Sequence, residues 1–122
     1  MHIQESGEMY LESIFVLSQN SKQVRSVDVA EYLNYSKPSV SRAVGLLKSG
    51  GYLLMDKDGF LTLTESGLAI AQKIYARHTL ISQLLERLGV SPEVAAADAC
   101  KIEHAISDES FEALKAFADQ LS

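Results

Sequence analysis

The sequence predicts a mainly α-helical protein in which a winged helix-turn-helix is followed by a helical dimerisation domain. Two short helical patterns joined by a tight turn lead directly into a two-stranded hairpin pattern, and these are the elements of a winged helix-turn-helix. Three more helical patterns follow, with more apolar surface than a wing domain needs to cover. We therefore expect a winged helix-turn-helix over residues 1–64 and a helical dimerisation domain over residues 65–122.

The first two helices are predicted from apolar periodicity and a capping residue. Apolar residues between Met9 and Leu17 recur near helical spacing, which predicts an amphipathic helix from Glu5 to about residue 18. Ser26 has the residue type of a helix N-cap, and apolar residues follow it at helical spacing. A second, short helix is therefore expected through Leu33.

The third helix and the hairpin follow closely along the chain. Ser36 is another predicted N-cap, and Pro38 fits the first turn of a helix, where its missing N–H is no loss. The pair Gly50-Gly51 ends this helix. Residues 52–55 and 60–63 then predict two strands around a polar turn that contains glycine.

Three helices are predicted in the second half of the chain. Thr64 caps a long helix that runs to about Leu88. Ser91-Pro92-Glu93 opens a fifth helix, which runs to Ile106, and a last helix starts near Ser107. Their surplus of apolar surface is most simply covered by a second copy of the chain, so a homodimer is expected.

Charge is distributed unevenly along the chain. The net charge of −5 opposes binding to duplex DNA. Between Lys22 and Lys57, however, lie six basic and three acidic residues, a local charge of +3, so the rest of the chain carries −8. This segregation fits a basic contact surface on an acidic body. Together with the winged helix-turn-helix, it predicts double-stranded DNA as a partner.

The composition also weighs against several classes of protein. No apolar run approaches the roughly 20 residues of a membrane helix, so no membrane partner is expected. The N-terminus, Met1-His2-Ile3-Gln4-Glu5, has neither a basic leader nor an apolar signal core, which predicts a cytoplasmic protein. The sequence shows no obvious nucleophile–base pair and no glycine-rich phosphate loop, so it is not expected to be an enzyme.

Metal-binding residue types occur at helical spacing in two places. Cys100, Glu103 and His104 lie at i, i+3 and i+4, which places a thiol, a carboxylate and an imidazole on one helical face. The alternative is a surface Glu–His pair beside a packed cysteine, since a single cysteine is a buried apolar residue, a reactive thiol or a ligand. Met9 and Glu12 are also i and i+3 apart, and a core-edge position is the alternative for them.

His78 adds a third helix to this pattern. It lies on the apolar side of the long helix, in phase with Ile74 and Ile81, where a lone histidine is commonly a satisfied core residue. Taken together, however, three helices each supply metal-binding side chains on an inward face. This coincidence favours a metal site that joins them.

Several motifs along almost the whole chain resemble the metal-dependent winged-helix repressors of bacteria, the family of the diphtheria toxin repressor and the manganese transport regulator. The motifs are Glu8-Met9-Tyr10-Leu11-Glu12, Ser36-Lys37-Pro38-Ser39-Val40-Ser41, Leu63-Thr64-Glu65-Ser66-Gly67, Arg77-His78 and Cys100-Lys101-Ile102-Glu103-His104-Ala105-Ile106-Ser107. The resemblance implies a dimeric repressor of metal-homeostasis genes that binds a palindromic operator when it holds Fe²⁺ or Mn²⁺. Other divalent ions, such as Co²⁺, Ni²⁺ or Zn²⁺, could substitute.

The resemblance also implies a ligand set. The family's effector-metal ligands correspond to Met9, Cys100, Glu103 and His104, while Glu12 and His78 correspond to positions that complete the paired-metal site of manganese-type members. In its length the sequence resembles the manganese type, whose members lack the SH3-like domain of the iron type. It nevertheless carries the sulfur ligands of the iron type, which favours Fe²⁺. Ser82 and Ala96 fall on positions of the iron type's ancillary site, which implies that this second site is degraded.

The third helix and the wing supply the predicted DNA contacts. Side chains near the start of a recognition helix reach base edges, whereas other basic and hydroxyl groups hold phosphates. We expect base contacts from Ser36, Pro38 and Arg42, phosphate contacts from Lys37, Ser39, Ser41 and Lys48, and a backbone or minor-groove contact from Lys57. The alternative for each serine is a helix cap or a solvated hydroxyl.

Two other functions remain open from the sequence. A winged-helix regulator that does not need metal would keep the fold without the metal cluster. A small metalloenzyme is the other class, and the missing catalytic groups weigh against it.

Overall fold

The computed structural model describes residues 5–20 and 23–121, and it divides into two compact units, residues 1–72 and 73–122. The elements in chain order are α1 (Glu5–Asn20), β1 (Val24–Arg25), α2 (Ser26–Leu33), α3 (Lys37–Ser49), β2 (Leu53–Met55), β3 (Phe60–Leu63), α4 (Glu65–Arg87), α5 (Pro92–Ala105) and α6 (Asp108–Gln120). All six predicted helices are present. The division between the units falls inside α4, and the domain boundary at 64/65 stays a prediction.

The sheet of the first unit has three strands instead of the predicted two. β3 lies in the middle and pairs antiparallel with both neighbours: Leu54 lies opposite Thr62, and Val24 lies opposite Leu61. The hairpin itself was therefore predicted correctly. Strand β1 was missed because two residues are too short to show the alternation that marks a strand.

Local capping explains where several helices begin. The side-chain oxygens of Ser36, Ser91 and Ser107 each accept a hydrogen bond from the backbone N–H three residues later, which makes these serines helix N-caps. This role was predicted for Ser36 and Ser91, and for Ser107 only a nearby helix start was predicted. Thr64 does the same for α4 by accepting from the Gly67 N–H at 3.1 Å. The prediction for Ser26 was wrong by one residue.

Ser26 is the first residue of α2, and Arg25 is its N-cap. The Arg25 backbone N–H donates to the Asp28 carboxylate at 2.8 Å. This is the bond that the N3 side chain of a capping box makes to the N–H of the N-cap residue, and it fixes the N-cap of α2 one residue before Ser26.

The core of the first unit lies between α1, α2, α3 and the sheet. Its fully buried members are apolar and come from every one of these elements: Leu11, Ile14, Val24, Val29, Val40, Val44 and Leu53. Helix α3 contributes only the face that carries Val40, Val44 and Leu47. Its opposite face therefore points to solvent.

In the second unit, Arg77 on α4 joins α5 to α6. The guanidinium is buried and donates to the carbonyl oxygens of Glu103 at 3.2 Å and Ile106 at 2.7 Å. It also pairs with the Asp108 carboxylate and lies 5.4 Å from the centre of the Phe111 ring. Buried carbonyls at a helix end need donors, and one side chain supplies them here.

An apolar groove runs along the second unit. It has a volume of about 260 Å³ and contains strongly exposed side chains such as Leu88 and Phe117, at 80% and 55% exposure. Its lining is Ile81, Leu84, Leu85, Arg87, Leu88, Ile102, Leu114, Phe117 and Leu121. Among residues 5–20 and 23–121, no helix has the length and hydropathy to cross a membrane.

Candidate metal centre and DNA-binding surface

Three predicted metal ligands meet within the second unit. His78 projects from α4 toward Cys100 and Glu103 on α5. The His78 Nδ1 atom lies 3.8 Å from the Cys100 Sγ atom and 3.4 Å from Glu103 Oε2. The structure thus brings a nitrogen, a sulfur and an oxygen donor to one point, with all three ligand atoms within 4.8 Å of one another.

The carboxylate of Glu103 also faces a second imidazole. Its other oxygen, Oε1, lies 3.6 Å from Nε2 of His104, and the Glu103 side chain is only 1% exposed. Burying a carboxylate is unfavourable unless positive charge or hydrogen-bond donors compensate it. Glu103 therefore stands between His78 on one side and His104 on the other.

The chemistry and spacing of these donors fit a divalent transition metal. Two ligands that each lie about 2.0–2.3 Å from one ion are about 3–4 Å apart, and the His78–Glu103 and His78–Cys100 separations fall in this range. Imidazole and thiolate suit Fe²⁺, Co²⁺, Ni²⁺ and Zn²⁺, whereas carboxylate also suits Mn²⁺. The imidazole, thiol and carboxylate groups of this cluster are therefore suitable ligands for such an ion.

Met9 and Glu12 lie on α1 in the first unit. Both side chains are partly buried, and their i, i+3 spacing places them on one side of the helix. The sulfur of Met9 accepts a hydrogen bond from the Tyr35 hydroxyl at 3.6 Å. Tyr35 packs its ring edge-on against Tyr10, with ring centres 6.2 Å apart.

Burial, and secondarily the nearby Tyr35, raises the pKa of Tyr10 above its usual value. The Tyr10 hydroxyl is therefore protonated at neutral pH. Within the first unit, the Tyr10–Tyr35 pair is an edge-on aromatic contact beside Met9.

The residues predicted to contact DNA are all exposed in the first unit. These eight residues are Ser36, Lys37, Pro38, Ser39, Ser41, Arg42, Lys48 and Lys57. Seven of them lie on α3 or at its cap, and α3 contains no acidic residue. The side chain of Ser36 is used as the cap of α3 and also donates to the Ser39 hydroxyl at 2.8 Å, so the alternative role considered for this serine is present.

Two residues with structural importance for the site were not predicted. Arg77 could have been found, because it follows Ile74 by three residues and precedes Ile81 by four, which places a charged side chain on the buried stripe of α4. Tyr35 carried no such signal. Its contact with Met9 joins residues that are 26 positions apart, and only the fold brings them together.

Family models match both halves of the chain. One described as iron dependent repressor, N-terminal DNA binding domain, matches residues 2–61. Another, described as iron dependent repressor, metal binding and dimerisation domain, matches residues 64–122. The two matches together cover nearly the whole sequence.

Individual proteins are similar over most of this chain. An uncharacterised HTH-type transcriptional regulator of Methanocaldococcus jannaschii is 36% identical over 118 residues, which cover 95% of this chain and 94% of that protein. The transcriptional regulator MntR of Salmonella typhimurium is 36% identical over 119 residues, covering 98% and 76%. The solved structure of the manganese regulator SloR matches with a TM-score of 0.82 at 30% identity. That match covers 98% of this chain but 55% of SloR, so the chain spans about half the length of that structure.

Proposed function

Because the chain belongs to the iron-dependent repressor family, we propose that it is a transcriptional repressor whose dimer binds a palindromic operator when it holds Fe²⁺ or Mn²⁺. The observation that carries this proposal is the meeting of His78, Cys100 and Glu103 in the second unit. A nitrogen, a sulfur and an oxygen donor at the separations found between ligands of one ion are typical of a transition-metal site. As a regulator of metal-homeostasis genes, the protein would act in the cytoplasm.

The proposed ligand set extends beyond that cluster. His104 faces Glu103 from its second side, and the resemblance of the chain to the family adds Met9 and Glu12 from α1. A bound divalent ion would supply positive charge that neutralises the buried Glu103 carboxylate. The thioether and the thiol favour Fe²⁺ over Mn²⁺, and Co²⁺, Ni²⁺ or Zn²⁺ would also fit these donors.

The proposed DNA contacts follow from the exposed face of α3. Arg42 can form a bidentate pair with a guanine in the major groove. Ser36 and Pro38 lie at the start of the helix, where side chains reach base edges. Phosphate contacts fall to Lys37, Ser39, Ser41 and Lys48, with Lys57 on the wing.

The exposed apolar groove of the second unit supports the proposed dimer. Apolar side chains such as Leu88 and Phe117 are costly to leave in water, and a second copy of the same surface would cover them. Two winged units related by twofold symmetry would read two half-sites about one helical turn, or a multiple of it, apart. The domains proposed for these roles are residues 1–64 and 65–122.

A titration of DNA binding with metal tests the function. Duplexes are selected from a randomised pool with Fe²⁺-loaded protein, and their affinity is measured by fluorescence anisotropy in anaerobic buffer with and without Fe²⁺ or Mn²⁺. Metal should raise the affinity by about 5–150-fold, the range of common allosteric couplings. Anaerobic conditions are needed because oxygen attacks thiols as well as ferrous iron.

Variants connect the response to the cluster. Cys100→Ala and His104→Ala should lose the increase while they keep the helical circular dichroism spectrum. Lys101→Ala is the matched control, because Lys101 is exposed on the same helix. If apo protein binds the selected duplexes as tightly as loaded protein does, the chain is a metal-independent regulator and the proposal is wrong.

A further inference from the structure

Helix α3 carries two residues on its exposed side whose presence the fold of the first unit does not explain. Val40, Val44 and Leu47 define the buried side of α3. Gly45 and Leu46 follow Arg42 by three and four residues and lie with it on the exposed side.

Gly45 stands in the interior of this 13-residue helix. Glycine there destabilises a helix relative to alanine, because the backbone loses more freedom on folding. Its backbone is not in the left-handed region, and a Cβ atom built at this position meets nothing within 4 Å. The first unit therefore has room for a side chain at Gly45, and its described packing and backbone conformation do not require glycine there.

Leu46 is 71% exposed beside this glycine. A single exposed leucine is ordinary on a protein surface. Here, however, it lies one helical turn beyond Arg42, on a helix that has basic residues and no acidic ones. The exposed face of α3 is basic, has no side chain at Gly45, and carries the apolar side chain of Leu46. Such a face is better suited to contact the major groove of DNA than to contact an acidic or apolar protein surface.

We propose that Gly45 and Leu46 read a thymine in the operator. The absent side chain at Gly45 lets the edge of a base pair approach the backbone of α3 closely, and Leu46 packs against the C5-methyl group of the thymine. Residues four apart in a helix are separated by about 6 Å. The thymine therefore lies within about two base steps of the base contacted by Arg42, since bases are spaced by about 3.4 Å. This inference rests on the proposed DNA binding and adds a specificity element to it.

The first test uses a variant whose effects on stability and on DNA binding have opposite signs. Gly45→Ala should raise the midpoint of thermal unfolding by about 2–6 °C, because alanine favours the helix. The same variant should bind the selected duplexes at least about fivefold more weakly, because its methyl group prevents the close approach. Ser110→Ala is the control, since it also favours a helix but lies on α6. It should leave the affinity for DNA unchanged.

The second test removes the thymine methyl group and leaves the hydrogen-bonding edges intact. Each thymine of the selected duplex is replaced in turn by deoxyuridine, and binding is measured with metal-loaded wild type and with Leu46→Ala. One replacement per half-site should weaken wild-type binding about fourfold, the value of one buried methyl group. Leu46→Ala should bind that duplex and the parent duplex equally well.

The outcomes separate this inference from the function on which it rests. If wild-type protein selects no duplex from the pool, the proposed function fails. If wild type selects duplexes but Gly45→Ala binds them undiminished, the close approach at α3 is wrong. If every deoxyuridine replacement affects wild type and Leu46→Ala alike, the thymine contact is wrong while the proposed repressor function stands.

Discussion

The hydroxyl of Tyr35 donates a hydrogen bond to the sulfur of Met9 at 3.6 Å, and Tyr35 directly precedes Ser36, the cap of α3. A proposed metal ligand on α1 is thus in contact with the turn that starts the proposed recognition helix, entirely within the first unit. A hydrogen bond to the sulfur competes with a metal for its lone pairs. This contact is a direct point at which ligation of Met9 can influence α3.

Removal of the Tyr35 hydroxyl should strengthen metal binding. Tyr35→Phe keeps the ring against Tyr10 but leaves the Met9 sulfur free for the ion. The loss of one net hydrogen bond, about 0.5–1.5 kcal/mol, corresponds to an affinity about 2–13-fold higher. Anaerobic competition with a chelator for Co²⁺ or Mn²⁺ measures this change.

A double-mutant cycle provides the control for Tyr35→Phe. In a Met9→Leu background the same substitution should leave the metal affinity unchanged, because no sulfur remains to be released. An equal effect in both backgrounds would show that Tyr35 acts by another route.

Replacement of Arg77 should destabilise the second unit. Arg77→Met keeps the apolar stem of the side chain but removes the donors to the Glu103 and Ile106 carbonyls. Buried acceptors left without their charged donor cost about 2–4 kcal/mol in the free energy of unfolding. Urea unfolding followed by circular dichroism measures the loss. Lys101→Met, at an exposed site on α5, should change stability by less than about 0.5 kcal/mol.

Acid should weaken the contacts at the start of α6. The hydrogen bond from Lys73, and secondarily the charges of Lys73 and Arg77, hold the pKa of Asp108 below its ordinary value of 3.8. Because the folded-state pKa is the lower one, the stabilisation is complete above about 3.8 and is lost as the pH falls through the folded-state pKa.

Asp108→Asn tests this pH dependence. Wild type should be more stable than the variant at pH 6, and the difference should shrink as unfolding is measured at successively lower pH values below about 4. Glu109→Gln changes the neighbouring exposed carboxylate and should preserve the wild-type pH profile. A stability difference that does not vary with pH would exclude titration of Asp108 as its cause.

Position 67 should not accept any residue larger than glycine, whereas position 45 should accept alanine. A Cβ atom at Gly67 would overlap the backbone carbonyl group of Tyr52, which has no flexible side chain to move aside. Gly67→Ala should therefore destabilise the first unit by about 1–3 kcal/mol. Thermal unfolding of Gly67→Ala and Gly45→Ala should shift in opposite directions, and a stabilised Gly67→Ala would contradict the close contact.

Local features of the fold were predictable because their chemistry is local. Ser36, Ser91 and Ser107 cap helices through a bond to a backbone N–H three residues away, which the sequence shows directly. Strand β1 has two residues, and it exists because β3 pairs with it from more than thirty positions away. No periodicity could reveal that pairing.

The candidate site divides in the same way. Cys100, Glu103 and His104 share a face through helical spacing, which the sequence predicts. The meeting of His78 with Cys100 depends on how α4 packs against α5. The sequence placed His78 on an inward helix face, and the resemblance to known repressors supported it as a ligand, but neither gave its distance from Cys100. The hydrogen bonds of Arg77 to the Glu103 and Ile106 carbonyls could not be predicted, because they depend on how α4 packs and on where the chain passes from α5 to α6.

The two-sided environment of Glu103 has a consequence for genetic dissection of the centre. One carboxyl group serves both imidazoles, so any substitution of Glu103 disturbs His78 and His104 at once. The number of ions held per subunit must therefore be determined from single replacements of the two histidines. A Glu103 variant would lose metal binding at both histidines together, whether the centre holds one ion or two, so it could not distinguish these cases.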